Sequence, residues 1–178
     1  IGDRVVVTLI RSCGDCINCK QGQPTLCLTE YDGTDGPLKT LNGDKLMQAM
    51  ACGAFAEKVV VDKSQVVKVN KTISYETAAL MACGVITGIG AVVNAAKIKP
   101  GQDVVVIGAG GVGLNAIQGA RLAGARRIVA VDLSEEKLKI AVEFGATDGV
   151  LATNSSPWKS VNEKLGGGAD AVFVSVGI

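Results

Sequence analysis

Histidine is absent from the 178 residues, and aromatic side chains make up only 3% of them. A metal site built from this chain alone must therefore use thiolates or carboxylates rather than imidazole. Charge of neither sign dominates: 18 lysines and arginines stand against 17 acids, well mixed along the chain. That removes the electrostatic case for nucleic acid or another polyanion as a partner. No run of about 18 apolar residues suggests a membrane span. A signal or transit peptide is not evident either, because Ile1 opens "IGDRVVVTLI", which reads as a strand already under way. Something upstream is therefore expected to be missing.

What the chain does have is apolar residues (48%) and 23 glycines. That is the composition of α/β domains, with strands of buried Val, Ile and Ala and glycine at tight turns. The length suits one domain, or one complete domain plus part of another. Six cysteines, four of them clustered, fit a reducing compartment with a metal better than a secreted disulfide framework. A cytoplasmic location is expected on that ground.

Pro100 and Gly101, in "KIKPGQD", mark a change of texture. Before them the pattern is β and loop. "DRVVVTLI", "AEKVVVDK" and "QVVKVN" are strand candidates, and residues 29–45 show no helical period. Ser74 reads as an N-cap with Glu76 in the first turn, opening a helix that restarts after Gly84 and runs to Ala96. After the break, apolar strands ("DVVVIG", "RRIVAVD", "DGVLA", "ADAVFVSVG") alternate with helices ("GVGLNAIQGARLAG", "SEEKLKIAVEFG" and one from about Ser156 to Leu165). Such alternation marks βαβ units and a parallel sheet. The expected division is residues 1–96 and residues 97–178. A complete dinucleotide fold has six strands in the order 3-2-1-4-5-6, of which the first four are expected here. The C-terminal end at Ile178 thus also reads as cut, and the apolar last strand is expected to leave an edge open to self-association.

"IGAGGVG" places Gly108, Gly110 and Gly113 in GxGxxG spacing between a strand and a helix, with Gly111 in the same turn. The first glycine permits the tight turn, the second lets backbone approach a pyrophosphate, and the third lets helix and strand pack closely. Free N–H groups at the helix start would then hold the phosphates. Asp132 ends the next strand, where a carboxylate accepts ribose hydroxyls and repels a 2′-phosphate, so NAD is favoured over NADP. The plainer alternative is a glycine turn with no ligand and an acid neighbouring an N-cap at Ser134. Arg126 and Arg127 precede that strand, at the wrong end for a 2′-phosphate, and read as solvated charges.

Cys13, Cys16, Cys19 and Cys27 have the spacing CxxCxxCx7C. Four thiolates on a compact loop complete a tetrahedral shell for Zn²⁺ and leave no open position for water or substrate. Such a metal would contribute to folding and carry no chemistry. A [4Fe–4S] cluster and two local disulfides are the alternatives; the bacterial iron–sulfur motif continues with three residues, Cys and Pro, which this stretch does not.

The CxxCxxCx7C lobe, "AALMACGVITGIGAV", "KPGQDVVVIGAGGVGLNAIQGARLAGA" and "IVAVDLSEEKLKIAVEFGA" occur in that order. Together they resemble the zinc-dependent medium-chain alcohol dehydrogenases, in the branch of the liver-type enzymes and the thiol-dependent formaldehyde dehydrogenases. The resemblance implies a partial β-rich, GroES-like catalytic domain with a structural zinc lobe, followed by a partial Rossmann doubly wound parallel sheet. It implies a structural zinc on Cys13, Cys16, Cys19 and Cys27, and a catalytic zinc for which Cys83 is one ligand. Read without the family, Cys83 is a small buried apolar residue. Thr87 and Val112 match residues flanking the nicotinamide ring, and Lys137 a lysine near the adenosine ribose; otherwise they are a helix threonine, a core valine and a solvated lysine.

The implied cofactors are Zn²⁺ and NAD. The implied activity is oxidation of a primary alcohol, or of a hydroxymethyl-thiol adduct, to the carbonyl or thioester level. The implied partners are a small alcohol or aldehyde substrate and further copies of the chain in a homo-oligomer. The second cysteine and the histidine that complete the family's catalytic zinc site have no counterpart here, so the 178 residues alone are expected to be inactive. A non-catalytic NAD-binding module and a purely structural fragment are the other two expectations.

Overall fold

The computed structural model describes residues 1–34 and 36–177, so Asp35, in the expected loop, and Ile178, at the expected cut end, lie outside it. The chain forms two compact units, Ile1–Cys83 and Gly84–Ile178.

In the first unit, β1 (Val5–Val7) pairs antiparallel with β2 (Val66–Lys68), Val6 opposite Val67. Amide bonds from Thr8 to Gln65 and from Val69 to Arg4 extend the ladder by one residue at each end. A short helix α1 (Ile17–Lys20) sits inside the cysteine stretch, and α2 (Tyr75–Leu80) closes the unit. Ser74 Oγ accepts from the Thr77 amide at 3.2 Å and caps α2 as expected. "AEKVVVDK" does not form the expected strand. No ladder partner pairs with it among the described residues, and the Val60 carbonyl instead accepts from Gln48 Nε2 at 2.9 Å. Apolar burial is sparse in this unit. Gln65, fully buried, takes much of its place: Nε2 donates to the Thr8 carbonyl at 3.0 Å and Oε1 accepts from the Asp62 amide at 3.3 Å.

The second unit starts with α3 (Ile86–Gly90) and continues as β3 (Asp103–Ile107), α4 (Gly111–Leu122), β4 (Arg127–Asp132), α5 (Glu135–Glu143), β5 (Asp148–Leu151), α6 (Pro157–Leu165) and β6 (Ala171–Val174). The four strands are parallel in the order β5-β4-β3-β6, with Val105 opposite Val129 and Val172. Numbered within this sheet the order is 3-2-1-4, that of the first four strands of a dinucleotide-binding fold.

Alternate side chains explain the two-sided burial. Val104, Val106, Ile128 and Ala130 pack with Ala116, Ile117 and Ala120 of α4 and Ala141 of α5. Val105, Val129, Val131 and Val150 face the other way, against Leu165 and Val161 of α6. Each fully buried isoleucine of the first face, Ile117 and Ile128, contributes roughly 1.5–3 kcal/mol.

Helical residues run from Tyr75 to Ala95 and include an 18-residue stretch with a mean hydropathy of 1.9, by length and composition enough to cross a membrane. This corrects the expectation of no such run. From Gly84 onward one face of the run packs against α4 in the second unit: a Cβ on Gly88 would lie 2.5 Å from the Val112 carbonyl oxygen, and Val92 is fully buried, while Ile86 and Val93 remain exposed. That packing also places the structural division at Gly84, ahead of the textural break at residue 97.

Arg126 is not a free solvated charge. Its Nε and Nη2 donate to the two oxygens of Asp103 at 2.9 and 2.5 Å, and that carboxylate is buried at the start of β3. Arg127 likewise donates to the Lys164 carbonyl. Both lie at the N-terminal end of the sheet, where a lone buried Asp103 would have no compensation. Arg126 holds the Asp103 pKa below the usual carboxylate value, chiefly through these hydrogen bonds. The pair therefore stabilises the fold at any pH above about 4 and fades as pH falls through the depressed value. Arg126→Ala is expected to lower stability at pH 7 by leaving the buried Asp103 carboxylate without its guanidinium partner, and the deficit relative to the unmutated chain should shrink toward pH 2 in urea melts.

Candidate nucleotide and metal sites

β3 ends and α4 begins around the glycine turn, and the four glycines differ in what they require. Gly108 has φ +97°, and a Cβ there would lie 2.5 Å from Val176 Cγ1. At Gly113 a Cβ would meet the Gly108 carbonyl oxygen at 1.7 Å. These two are demanded by the backbone itself. Gly110 and Gly111 meet nothing within 4 Å, so space is open before the helix start. No side chain caps that end of α4, leaving its first-turn N–H groups available to an anion.

Asp132 ends β4 beside this turn. Its Oδ2 accepts from the Ala109 amide at 2.7 Å and its Oδ1 from the Ser134 amide at 3.0 Å. Burial pushes its pKa up, but the Ala109 and Ser134 amides and the charge of Lys137 outweigh that, so the carboxyl lies below its usual range. An ionised carboxylate has about four lone-pair sites, so each oxygen retains capacity for a ribose hydroxyl. The bond from Ser134 shows that the acid also does the work of an N-cap neighbour.

Val112, half-buried, lies in the first turn of α4. Thr87 is exposed and adjoins Gly88, which packs against that same turn. Lys137 is exposed in the first turn of α5, its amide donating to Ser134 Oγ at 3.4 Å. The structure thus gathers Gly108, Gly110, Gly111, Val112, Gly113 and Asp132 at the C-terminal ends of β3 and β4. Ser175 joins them, its hydroxyl 2.9 Å from the Gly108 carbonyl. The only sequence signal for it is one hydroxyl residue in the apolar run "AVFVSVG".

In the first unit, the sulfurs of Cys13, Cys16, Cys19 and Cys27 all lie within 4.8 Å of one another, and none is in a disulfide. The Cys13–Cys19 and Cys16–Cys27 separations are 3.9 and 4.0 Å. Four sulfurs at about 2.3 Å from a tetrahedral zinc stand about 3.8 Å apart, close to these two separations, so the donor set suits that ion. Backbone amides point into it: Asp15 and Cys16 donate to Cys13 Sγ at 3.3 and 3.2 Å, and Cys13 to Cys27 Sγ at 3.3 Å. The Thr29 hydroxyl and then these amides hold the Cys13 pKa at about 6, and the Cys13 amide lowers that of Cys27. Loss of water, then hydrogen bonding with Cys16, pushes Cys19 up to about 12. The surroundings thus favour thiolate at Cys13 and Cys27 and the protonated thiol at Cys19, which would have to lose its proton to bind a metal.

Cys83 is exposed rather than a buried core residue. It lies in a wide helical turn, Met81–Val85, that follows α2, a distortion often found at functional positions. With Leu9, Leu46, Met50, Phe55 and Ala82 it lines a pocket of about 620 Å³ in the first unit. Among the described residues it belongs to no group of three metal-binding side chains, so it does not by itself make a catalytic metal site.

Residues 111–178 match the zinc-binding dehydrogenase family model, and residues 1–71 match the alcohol dehydrogenase GroES-like domain. An S-(hydroxymethyl)glutathione dehydrogenase from Synechocystis sp. is 39% identical over 99% of this chain and 50% of its own length. Alcohol dehydrogenase-like 7 of Arabidopsis thaliana is 36% identical over 99% of this chain and 48% of its own. Among solved structures, an alcohol dehydrogenase zinc-binding domain protein from Burkholderia ambifaria superposes with a TM-score of 0.89 at 32% identity, covering 99% of this chain and 50% of that one. Benzyl alcohol dehydrogenase from Acinetobacter calcoaceticus gives 0.86 at 32%, covering 100% and 50%. The chain spans about half the length of the curated relatives it matches.

The thiol geometry predicts one zinc per chain by metal analysis. Cys27→Ser should release it and lower stability by about 3 kcal/mol, the linkage for metal a hundredfold above its Kd. A brown, iron-containing protein, or unchanged zinc and melting in the variant, would overturn the zinc assignment.

Proposed function

Because the chain belongs to the zinc-dependent medium-chain alcohol dehydrogenase family, we propose that it carries the structural-zinc lobe and the NAD site of an NAD-linked alcohol dehydrogenase. The whole protein would oxidise a primary alcohol, or a hydroxymethyl-thiol adduct, to the carbonyl or thioester level. The observation that carries this is the turn at Gly108–Gly113, closed to any side chain where strand meets helix and open where a pyrophosphate would lie. Zinc and NAD are the typical cofactors of the family. In our reading residues 1–96 belong to the catalytic domain and 97–178 to the NAD-binding domain.

Each residue then has a stated task. The first-turn amides of α4 hold the pyrophosphate, Asp132 accepts from the adenosine ribose hydroxyls, and Lys137 offers a cation beside them. Thr87 and Val112 bear on the nicotinamide ring and orient it. Cys13, Cys16, Cys19 and Cys27 hold the structural zinc, and Cys83 supplies one thiolate to a catalytic zinc. When bound, zinc would supply polarisation of an alcohol oxygen and NAD⁺ a hydride acceptor. The apolar pocket beside Cys83 favours an alcohol with an apolar carbon chain. Three protein ligands are needed for such a metal, and these residues bring one. The 178 residues alone then behave as an NAD-binding module without turnover.

We place the protein in the cytoplasm, acting on a small molecule, with no nucleic-acid or membrane partner, and as a homo-oligomer when whole. β6 pairs only with β3 among the described residues, and Val172 and Val174 stay largely exposed. An unpaired apolar edge invites association. Sedimentation should therefore show these 178 residues self-associating as concentration rises, and a monomer at high concentration would refute this.

NAD titration tests the cofactor assignment. The chain should bind NAD more tightly than NADP and oxidise no alcohol. Asp132→Ala should weaken NAD by about tenfold, the loss of roughly one charged hydrogen bond, and leave NADP little changed. Equal affinity for the two cofactors before mutation would sink the assignment.

A further inference from the structure

Ser175 follows β6 and touches the glycine turn from beneath. Its amide donates to the Ile107 carbonyl at 2.9 Å, so the chain is already fixed at this point by backbone. Its hydroxyl lies 3.1 Å from the same carbonyl and 2.9 Å from that of Gly108, close enough to share its proton between them. The hydroxyl oxygen would also stand 2.8 Å from a Cβ on Gly113, so it reaches the junction of strand, turn and helix.

The Gly108 carbonyl and the Ala109 amide are two ends of one peptide plane. Asp132 Oδ2 holds the amide end at 2.7 Å, and Ser175 Oγ holds the carbonyl end at 2.9 Å. Gly108, at φ +97° and without a side chain, would otherwise let that plane turn with little resistance. We propose that Ser175 is a positioning residue for NAD: by clamping the Gly108–Ala109 peptide it fixes the phosphate turn and, through the Ala109 amide, the orientation of Asp132. The inference rests on the reading of this turn as the pyrophosphate site. It adds that ribose and pyrophosphate recognition are coupled through one peptide plane.

Without the hydroxyl, the Gly108 carbonyl loses a donor beside α4, and Asp132 is no longer held square to the ribose. Ser175→Ala should therefore weaken NAD about fivefold, the range of one net hydrogen bond. NADP, which gains nothing from Asp132, should change less than twofold, so the discrimination between the two narrows. Ser175→Thr, which keeps the hydroxyl, should restore both the NAD affinity and the discrimination, whereas Ser175→Cys should behave like the alanine variant. The measurement is calorimetric or fluorescence titration of NAD and NADP, with thermal melting of each variant. NAD and NADP weakening by the same factor, or NAD affinity unchanged in Ser175→Ala, overturns the inference and leaves the site assignment standing. Absence of NAD binding by the unmutated protein overturns the site assignment and this inference with it.

Discussion

The approach of α4 to the end of β3 is the constraint on which the second unit depends. At Gly113 helix backbone meets strand backbone with no room for even a methyl group. Because the helix settles that deeply, Ala116, Ile117 and Ala120 reach Val104 and Val106 with short side chains, and Phe173 of β6 is the aromatic residue that packs against this core among the described residues. The same descent aims the uncapped start of α4 across the turn toward Asp132 and brings Gly88 onto its first turn. A larger residue at Gly113 would lift the helix and undo packing and site together.

The two units hold together by different means. The second has apolar layers on both faces of its sheet, so burial of valines and isoleucines carries it. In the first, Cys52 and Ala78 are the buried hydrophobic residues among those described, and its strands are three residues each. Polar ties fill the gap: Gln65 inside, and Arg4, which donates to the Lys71 and Ile73 carbonyls and stacks over Tyr75 at 4.5 Å. A small unit with so little core needs a staple. The four-thiol lobe supplies a place for one, which is the physical reason such a cluster can matter without performing chemistry.

Where order is set by local period and burial, it was legible from residues alone. The four strands of the second unit, their helices, the caps at Ser74 and Ser134 and the absence of helix among the described residues of 29–45 follow from apolar spacing and cap chemistry. Two features needed the tertiary partner. "AEKVVVDK" has strand residues but found no ladder, since β-propensity expresses a fit to neighbours rather than a backbone preference. Arg126 looked solvated because its partner Asp103 is far off in sequence, and a buried acid at a strand start leaves no local mark. The cysteine spacing foretold the cluster, and the glycine spacing foretold the turn. Ser175 was invisible, since its importance comes from which carbonyls lie opposite it.

The two amide bonds to Asp132 have a consequence for how quickly and cheaply a nucleotide would be recognised. The carboxylate is held by two backbone amides that belong to the fold itself, so much of the loss of side-chain entropy is met during folding. A ribose arriving at such a group meets a static acceptor and waits for no rotamer search. In our proposed site, then, association would be set by diffusion and by the shedding of water from the carboxylate, and discrimination between cofactors by how long each remains.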